Sequence, residues 1–520
     1  MGELRLMPAA AAVWAAALAV ILAGPLWAVG TIAAFAAACA VLREYGQAIL
    51  SGGIGACSAA VAWARRTLAE TAEFGGAITG TVSGAPKQLY TAGNWIVNVN
   101  VEGYPVPVPV FAEDVPDGIV AGTTVTVAGT ASESTRPGLG TVIFNGDVET
   151  VAPPEGFAAF AAAVRERFAG AVEASVGEHA QGLIPGMVLG DVSMQSAEEQ
   201  QSYIDTGLSH LSAVSGANCM YVATAALLIA RACRLGLRGQ LLAAGTALLV
   251  YAGLVGPEPS VLRATVSGLV GFTAVICSAR AEPIHVLCLA VIGLILVDSD
   301  LAVNYAFALS TAATAGIVAI SPLIYRALAP LGWPDIVGKA VAVAVAADVA
   351  TAPIIAGMAG RVSLVAVIAN VLVAPVVGAV TVLGMAAAIL AQFHHLLAAP
   401  LLWIIQPLAG WIRTVADSAD HLPATTVQAR PAVVAVFYGW VIAGFIASRP
   451  RATVAAAALI VGIAMVGQVE RVDVDKRHPH VVDSEAEIEP IPPGTTVVVV
   501  RDGHRDRPTV TQDGIPVIYP

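Results

Sequence analysis

Polar side chains capable of chemistry lie close together in one stretch, Gly207-Leu-Ser-His-Leu-Ser-Ala-Val-Ser-Gly-Ala-Asn218. His210 and Ser215 are residue types of a base and a nucleophile, but their separation of five residues does not place them on one face of a regular helix. Neither G-x-S-x-G nor H-E-x-x-H surrounds them. We therefore expect Ser215-Gly216 to break a helix, so that His210 and Asn218 line a polar cavity. A Ser/His hydrolase stays open as an alternative.

Further polar residues stand in or beside apolar runs. Asp191 is the last residue of the motif Gly186-Met-Val-Leu-Gly-Asp191. We expect it to orient a hydrogen-bond donor of residues 207–218. Arg263 begins an apolar run, where its side chain either snorkels to the surface or serves a functional site. Asn370 lies inside another apolar run and offers a further donor. These residues extend the candidate cavity beyond the first stretch.

Asp348 is a charged residue between alanines and valines. Charged groups at membrane depth are costly and usually face the interior of a helix bundle, where they mark a pathway or form a pair. A pathway position and a structural salt bridge with Arg263 or Arg361 are both compatible with its place in the sequence.

The composition defines the class of protein that must position these residues. Of 520 residues, 57% are apolar and 12% are charged, and the mean hydropathy is +0.77. Soluble domains carry about 25% charged residues, so a soluble enzyme, a disordered chain and a basic nucleic-acid-binding protein are excluded. The net charge is −11, yet residues 210–467 alone are positive. The composition predicts a polytopic α-helical membrane protein.

The chain divides into five predicted segments. Residues 1–64 contain about three short apolar runs, read as transmembrane helices near the lower length limit. Residues 65–152 form a β domain, residues 153–209 an amphipathic helix and linker, residues 210–467 a core of about ten apolar segments, and residues 468–520 a polar tail. Prolines in the core predict kinked or re-entrant segments, which are tolerated only inside protein or beside water.

The β domain predicted at residues 65–152 carries five short β-rich runs separated by Gly, Pro and Asp clusters. A small closed barrel of the OB type accounts for them most economically, because closure removes unpaired strand edges. Several aromatic side chains could stack on bases, but only four basic groups occur in this segment. Single-strand binders combine stacking with a basic groove, so the charge does not predict DNA binding there.

Residues 157–176 place apolar side chains at steps of three or four, with charged residues off the stripe. This pattern predicts an amphipathic helix. It would lie in the membrane interface or pack on the barrel, and the sequence leaves both open.

Loop charges predict the orientation in the membrane. Arg231, Arg234 and Arg238 mark one loop as cytoplasmic. The loops that follow alternate between those with basic residues and those without. This alternation predicts that the barrel and the C-terminal tail lie outside the cytoplasm, in a multi-pass protein of the cytoplasmic membrane.

The motifs together resemble the ComEC family, the membrane channel proteins of bacterial competence. The family pattern is a Gly-Asp turn followed about twenty residues later by Gly-Leu-x-His-Leu-Leu-Ala-Val-Ser-Gly-Leu-His, and residues 186–218 follow it. Two further matches are Pro257-Glu-Pro-Ser-Val-Leu-Arg-Ala264 and Ser363-Leu-Val-Ala-Val-Ile-Ala-Asn-Val-Leu-Val-Ala-Pro375. The resemblance covers about residues 1–467. It implies passage of single-stranded DNA across the cytoplasmic membrane, with a cytoplasmic helicase-like ATPase and an external DNA receptor as partners.

The sequence departs from the family pattern in two places. Asn218 stands where the family has His, so an amide replaces an imidazole. Residues 468–520 replace the metallo-β-lactamase-like domain of many members, and His478-Pro-His480 lacks the Asp-His that completes its metal motif. The closest string to a nucleotide-binding loop, beginning at Gly332, has five intervening residues instead of four. We therefore expect a channel without cofactor, metal or catalytic residues.

The leading hypothesis is a channel component for single-stranded DNA uptake through the lipid bilayer. A transporter or flippase for a lipid or polymer is one alternative, and an intramembrane Ser/His hydrolase is the second. The candidates for the polar cavity are Asp191, His210, Ser215, Asn218, Arg263 and Asn370, with Asp348 as a separate intramembrane charge.

Overall fold

The chain forms two compact units, Met1–Val461 and Gly462–Pro520. The structure, a computed structural model, describes residues 5–88, 95–116, 118–212, 214–278, 282–422, 425–447, 449–468, 479–482, 497–501, 509–510 and 516–518, and the single residues 484, 488, 491 and 495. Among residues named above, His478 lies outside these described residues.

The first unit begins with three helices, α1 (Met7–Ala23), α2 (Pro25–Val41) and α3 (Tyr45–Glu70). Pro25 starts α2 at a position where no backbone N–H is needed. α1 packs against both other helices, and the hydroxyl of Ser58 donates to the Val13 carbonyl at 2.8 Å. Of these three helices, only α3 is both long and apolar enough to cross a membrane by length and composition.

A β domain follows, with strands β1 (Ala77–Val82), β2 (Lys87–Gln88), β3 (Trp95–Val101), β4 (Val108–Ala112), β5 (Thr124–Glu133) and β6 (Val142–Ala152). The order β1-β5-β6-β4-β3 closes on itself because β1 also pairs with β3. β4 and β6 are parallel, and the other pairs are antiparallel. This is a closed five-stranded barrel with OB-type strand order, which confirms the predicted fold.

The barrel interior is built from alternating strand residues. Burial alternates along β4, and the largest fully buried side chain of the barrel is Phe144 on β6. β5 and β6 cross closely at Gly129 and Gly146, which face each other in the ladder. A Cβ on Gly129 would overlap the Asn145 carbonyl, so glycine is required at this crossing.

The barrel is attached to the helical part through Asp300 and through apolar packing around Leu139. Asp300 Oδ1 accepts a hydrogen bond from the Leu139 N–H at 2.7 Å, and Asp298 forms an ion pair with Arg65 at 3.3 Å. Leu139 is buried in one cluster with residues of α1 and of the helix at Pro283–Val297. The apolar contact and the Asp300 carboxylate fix the barrel to these helices, whereas the Arg65–Asp298 pair joins α3 to the turn after Val297.

Four helices connect the barrel to the core: α4 (Gly156–Ser175), α5 (Glu178–Gln181), α6 (Leu183–Leu189) and α7 (Ala197–Asp205). The amphipathic stripe predicted for residues 157–176 lies on α4. Its Val164, Phe168 and Val172 are buried in the largest core cluster, whereas Phe157 and Phe160 are 48% and 53% exposed. α4 lies close to the barrel near its start, where a Cβ on Gly122 would contact Ala158.

Ten helices follow in the described part of residues 216–468. They are α8 (Gly216–Ala232), α9 (Leu237–Val255), α10 (Pro259–Ile276), α11 (Pro283–Val297), α12 (Tyr305–Leu328), α13 (Asp335–Ala359), α14 (Ala366–Ala391), α15 (His395–Asp420), α16 (Pro431–Ile446) and α17 (Pro450–Gln468). Eight helices of the described chain, including α3, are long and apolar enough to span a membrane. The predicted polytopic helical protein with a small β-barrel is confirmed.

One short sheet lies at the beginning of the apolar run that starts near residue 363. β7 (Arg361–Ser363) pairs antiparallel with β8 (Thr426–Gln428). Gly360 ends α13 with a φ of +68°, and the chain then runs extended before α14 begins at Ala366. The sheet ties the loop between α13 and α14 to the loop between α15 and α16.

The second unit contains strands β9 (Pro479–Val482), β10 (Val497–Val500), β11 (Thr509–Val510) and β12 (Pro516–Ile518). Their order is β11-β12-β10-β9, and β10 is parallel to both of its neighbours. Val482, Val498, Val500 and Val517 form its small apolar core. His480 lies on β9.

Candidate functional site

The site is built on α6, a seven-residue helix whose residues are all buried. Gly190 ends α6 with a φ of +75°, a conformation that glycine adopts without strain. α6 lies close to α14, since a Cβ on Gly384 would overlap the side chain of Val188. A short buried helix must have its terminal carbonyl groups satisfied by partners from elsewhere in the chain.

Two side chains from the spanning helices satisfy these carbonyls. Asn218 Nδ2 donates to the Met187 carbonyl at 2.7 Å, and the Tyr251 hydroxyl donates to the Val188 carbonyl at 2.8 Å. Both side chains are buried. Ser215 in turn donates to Asn218 Oδ1 at 3.2 Å. Asn218 therefore acts as donor and acceptor at once, and it joins α8 to the end of α6.

The expected helix break before Gly216 is present. Helix α7 ends before Gly207, whose φ is +73°, and residues Ser209–Leu211 form a single 3₁₀ turn. Ser215 is extended, and α8 begins at Gly216. His210 lies on the 3₁₀ turn with an exposed side chain, separate from the buried Asn218.

Asn370, which lies on α14, forms a hydrogen bond with the beginning of this irregular segment. Its Nδ2 donates to the Gly207 carbonyl at 3.3 Å and to the Ala366 carbonyl at 2.8 Å. A Cβ on Gly207 would approach the Ala366 Cβ to 2.5 Å. The His210 ring also contacts the Gly207 backbone. His210 and Asn370 thus meet at Gly207, at one end of the segment.

Arg263 lies at the other end of the segment, on α10. Its side chain is buried, with only 6% exposed, and its Nε donates to Ser310 Oγ at 2.9 Å. Its Nη2 lies 3.0 Å from the position that a Cβ on Gly216 would occupy. Within the described part of the chain it forms no ion pair with a carboxylate. A buried guanidinium thus stands beside the first residue of α8.

Asp191 has a different partner from the one the sequence suggests. Its Oδ1 accepts from the Ser193 N–H at 3.1 Å, so it stabilises its own turn and orients no donor among the described residues of the 207–218 segment. Its charge acts on Arg165 of α4. Burial lowers the pKa of Arg165, and the charge of Asp191 opposes that shift.

Asp348 lies apart from the other candidates, on α13. The Tyr438 hydroxyl on α16 donates to its Oδ2. Of the two alternatives for Asp348, the salt bridge with Arg263 or Arg361 is not formed among the described residues, because Arg361 pairs with Asp205 at 3.2 Å and Arg263 binds Ser310. Asp348 therefore connects two helices, away from the site at Gly207–Asn218.

A buried polar network that the sequence analysis missed joins α7 to α15. Arg413 Nη1 lies 3.0 Å from Glu199 Oε1, and the Tyr203 hydroxyl donates to the same oxygen at 3.0 Å. Burial raises the pKa of Tyr203, and the nearby Glu199 raises it further. The local signal was Ser196-Ala-Glu-Glu199, a capping pattern in which the Ser196 hydroxyl accepts the Glu199 N–H.

The cavity beside the site lies between α8, α9 and α10. Its volume is about 220 Å³. Its lining is mainly apolar and comprises Gly216, Cys219, Met220, Ala223, Thr224, Leu227, Leu248, Ala264, Gly268 and Phe272. The cavity thus starts at the residue next to Arg263 and extends along α8.

The arrangement offers hydrogen-bond donors but no assembled catalytic set among the described residues. Ser215 donates to an amide oxygen, and an amide cannot act as its general base. Across the described residues, no group of three or more His, Cys, Asp or Glu side chains is placed to hold a metal ion.

Comparison with known proteins identifies the family. No curated protein and no solved structure matches the chain. A family model described as Competence protein matches residues 187–465, more than half of the chain. The matched residues run from Met187, whose carbonyl Asn218 binds, through α16 and most of α17. They therefore include the break before α8, Arg263 and Asn370, and the chain belongs to the competence protein family.

Proposed function

We propose that this protein is a channel component that carries single-stranded DNA across the cytoplasmic membrane. The observation that carries the proposal is the irregular backbone at residues 206–212 and 214–215, which holds the exposed His210 inside the family-matched helical region. Irregular backbone in a membrane protein is tolerated where it is enclosed by protein or lines a water-filled path. Family membership supports the same role in DNA handling at the membrane.

A strand that crosses about 30 Å of hydrocarbon carries a charge on every nucleotide, and apolar surroundings make those charges prohibitively costly. The path must therefore contain water, and its narrow points must offer hydrogen-bond donors to the phosphates. His210 is exposed, and Ser215 and Asn370 are half-buried. We assign these three side chains to the wall of the path.

Asn218 and Arg263 are too deeply buried to contact a passing strand in this conformation, with 3% and 6% of their surface exposed. We assign them a positioning role. Asn218 fixes α8 to α6, and Arg263 fixes α10 to α12. Each holds one side of the segment that carries His210. Asp191 supports the turn after α6.

The proposed segment layout follows the sequence. Residues 1–64 and 210–467 lie in the membrane, the barrel at residues 65–152 and the tail at 468–520 lie outside the cytoplasm, and the loop with Arg234 lies inside. Energy for transport then comes from a gradient or from a cytoplasmic helicase-like ATPase, and an external receptor delivers DNA. In this proposal the protein itself is a channel and catalyses no reaction.

A deletion strain tests the proposed function. We expect transformation to be lost while DNA still binds to the cell surface. Accumulation of a lipid or polymer precursor in that strain, with normal transformation, would instead indicate a flippase or polymer transporter. A hydrolytic activity of the purified chain that Ser215→Ala abolishes would indicate an intramembrane hydrolase.

A further inference from the structure

Asp348 and Tyr438 form a polar pair near the middle of two apolar helices. Asp348 lies near the middle of α13, which has 25 residues, and Tyr438 lies near the middle of α16, which has 16 residues. At about 1.5 Å per residue, Asp348 is roughly 16–20 Å from either end of α13. Because α13 is long and apolar enough to span a membrane, the pair lies close to mid-depth in the proposed membrane region.

The carboxylate of Asp348 has no cation beside it. Its hydrogen-bond partner among the described residues is the Tyr438 hydroxyl. The elements packed against α13 are α12, α14, α16 and β7. Apart from the pair itself, the ionisable residues on α13 and on these elements are Tyr305, Tyr325, Arg326, Asp335, Lys339 and Arg361. Within the described part of the chain, none of these six forms an ion pair or a hydrogen bond with Asp348.

The contacts of the carboxylate indicate which ligand it takes. A charged side chain at membrane depth is costly unless a partner balances its charge. Divalent metal cations take about six or more oxygen ligands, whereas Asp348 and Tyr438 together offer three oxygen atoms among the described residues. A proton needs a single oxygen atom. The pair therefore suits a proton better than a metal ion.

The backbone of α13 is weakened beside Asp348. Pro353 lies inside the helix and has no N–H to donate to the Val349 carbonyl. The Thr351 hydroxyl donates to the Ala347 carbonyl at 2.9 Å, a contact that often bends helices. Both features favour bending of α13 next to the carboxylate. Such bending would change the access of water to it.

A series of contacts joins α13 to the irregular segment that carries His210. α13 leads through Gly360 into β7. Arg361 of β7 lies 3.2 Å from the carboxylate of Asp205 on α7, and α7 ends just before Gly207. A movement of α13 therefore acts on this segment through one ion pair.

We propose that Asp348 is an intramembrane proton-binding site that couples a proton gradient to DNA transport. The carboxylate takes a proton from water on one side of the membrane, and an O–H bond forms at the carboxylate. The same bond breaks when the proton leaves to water on the other side, so no other reactant is needed. Tyr438 holds the carboxyl group between the two steps. This inference rests on the proposed channel function and assigns its energy to the gradient.

Infrared difference spectroscopy of the full chain in phosphatidylcholine vesicles tests proton binding without transport. Spectra in acidic and in alkaline buffer are subtracted. We expect the wild type to show a carboxylic acid C=O band that Asp348→Asn lacks, because the amide does not titrate. Tyr438→Phe should shift the band, since it removes the hydrogen bond but keeps the carboxyl group. Asp335→Asn, which alters an exposed carboxylate of α13, should leave the band unchanged.

Two spectroscopic results would overturn the proton site. One is a difference spectrum of Asp348→Asn identical to that of the wild type. The other is loss of the band at constant pH when sodium chloride, but not potassium chloride, is added. That result would assign the carboxylate to a sodium ion.

Uptake of labelled DNA by a complemented deletion strain tests the coupling. A pH difference of one unit is worth about 1.4 kcal/mol for one proton, a factor of about ten. We therefore expect Asp348→Asn to reduce nuclease-protected DNA about tenfold at matched protein levels, and Asp335→Asn to match the wild type. Full uptake with Asp348→Asn would contradict the coupling and leave the channel proposal intact. Uptake in the uncomplemented deletion strain would contradict the channel itself.

Discussion

Asn218 is the residue on which the geometry of the site depends most. Its amide accepts from Ser215 at the start of α8 and donates to Met187, and the bond to Met187 holds α8 against α6. A neutral imidazole also offers one donor and one acceptor. The amide of Asn218 therefore forms one donated and one accepted hydrogen bond, and the histidine of the family pattern could form the same two.

Substitutions at Asn218 test this account. Asn218→His should keep the thermal unfolding midpoint of the purified protein close to that of the wild type. Asn218→Asp should lower the free energy of unfolding by about 1–3 kcal/mol, because an ionised carboxylate cannot donate to the Met187 carbonyl. Equal stability of the two variants would show that the hydrogen-bonding pattern is unimportant.

At the residue scale, the sequence predicted which residues lie near one another better than it predicted their partners. His210, Ser215, Asn218, Arg263 and Asn370 all lie on or against the 207–218 segment. Their contacts could not be predicted, because they join residues far apart in the chain: Asn370 lies 163 positions from Gly207. The burial of a side chain cannot be predicted from residue type either. Arg263 is only 6% exposed, whereas an arginine that snorkels exposes its charged group to water.

At the scale of elements, the break between α7 and α8 depends on Gly207. Its positive φ and its closeness to Ala366 leave no room for a side chain. Gly207→Ala should therefore cost about 1–3 kcal/mol of stability, the usual range for a strained backbone conformation, and should reduce DNA uptake. Gly236→Ala is the control, because Gly236 has open space around it and should tolerate the change. Thermal unfolding of the two purified variants compares them directly.

Attachment of the barrel depends on Asp300 and is expected to vary with pH. Burial raises the pKa of Asp300, although the Leu139 N–H opposes that shift. The folded state therefore holds the proton more tightly than the unfolded state, whose aspartate titrates near pH 4. The stability contribution of Asp300 is thus full at low pH and is lost as pH rises through the raised pKa.

Asp300→Asn isolates this effect, because the amide oxygen still accepts from Leu139 but does not titrate. The unfolding midpoint of the variant relative to the wild type should increase between about pH 4 and pH 8. A difference that stays constant with pH, or that decreases, would contradict the assigned direction of the shift.

The barrel strands also indicate how far sequence patterns can predict elements. β1 and β3 coincide with the β-rich runs Ala77–Val82 and Trp95–Val101 of the sequence, because apolar alternation defines them completely. β5 and β6 extend beyond the β-rich runs at residues 123–128 and 141–144, since pairing from Val125–Thr150 to Glu133–Val142 continues through polar residues. Backbone pairing with a neighbour sustains a strand where side-chain pattern gives no signal, and β7 was missed for the same reason.

At the scale of the whole molecule, the orientation in the membrane is the proposal with the widest consequences. Single cysteines at Gly84, Gly236 and Ser484 test it after the native cysteines are replaced. Gly84 and Gly236 both have open space around them, and Ser484 is exposed. An impermeant thiol reagent should label Gly84→Cys and Ser484→Cys in intact cells and label Gly236→Cys only after permeabilisation. The reverse pattern would invert the proposed topology.

The central claim is that DNA passes through this protein beside His210, and uptake of labelled DNA tests it most directly. A deletion strain is complemented with the wild type, with His210→Ala or with Cys277→Ala, which alters an exposed cysteine at the end of α10. Nuclease-protected DNA and surface-bound DNA are then measured at matched protein levels. We expect His210→Ala to reduce protected DNA at least tenfold with surface binding unchanged, and Cys277→Ala to match the wild type. Full protection in the deletion strain, or in His210→Ala, would contradict the proposal.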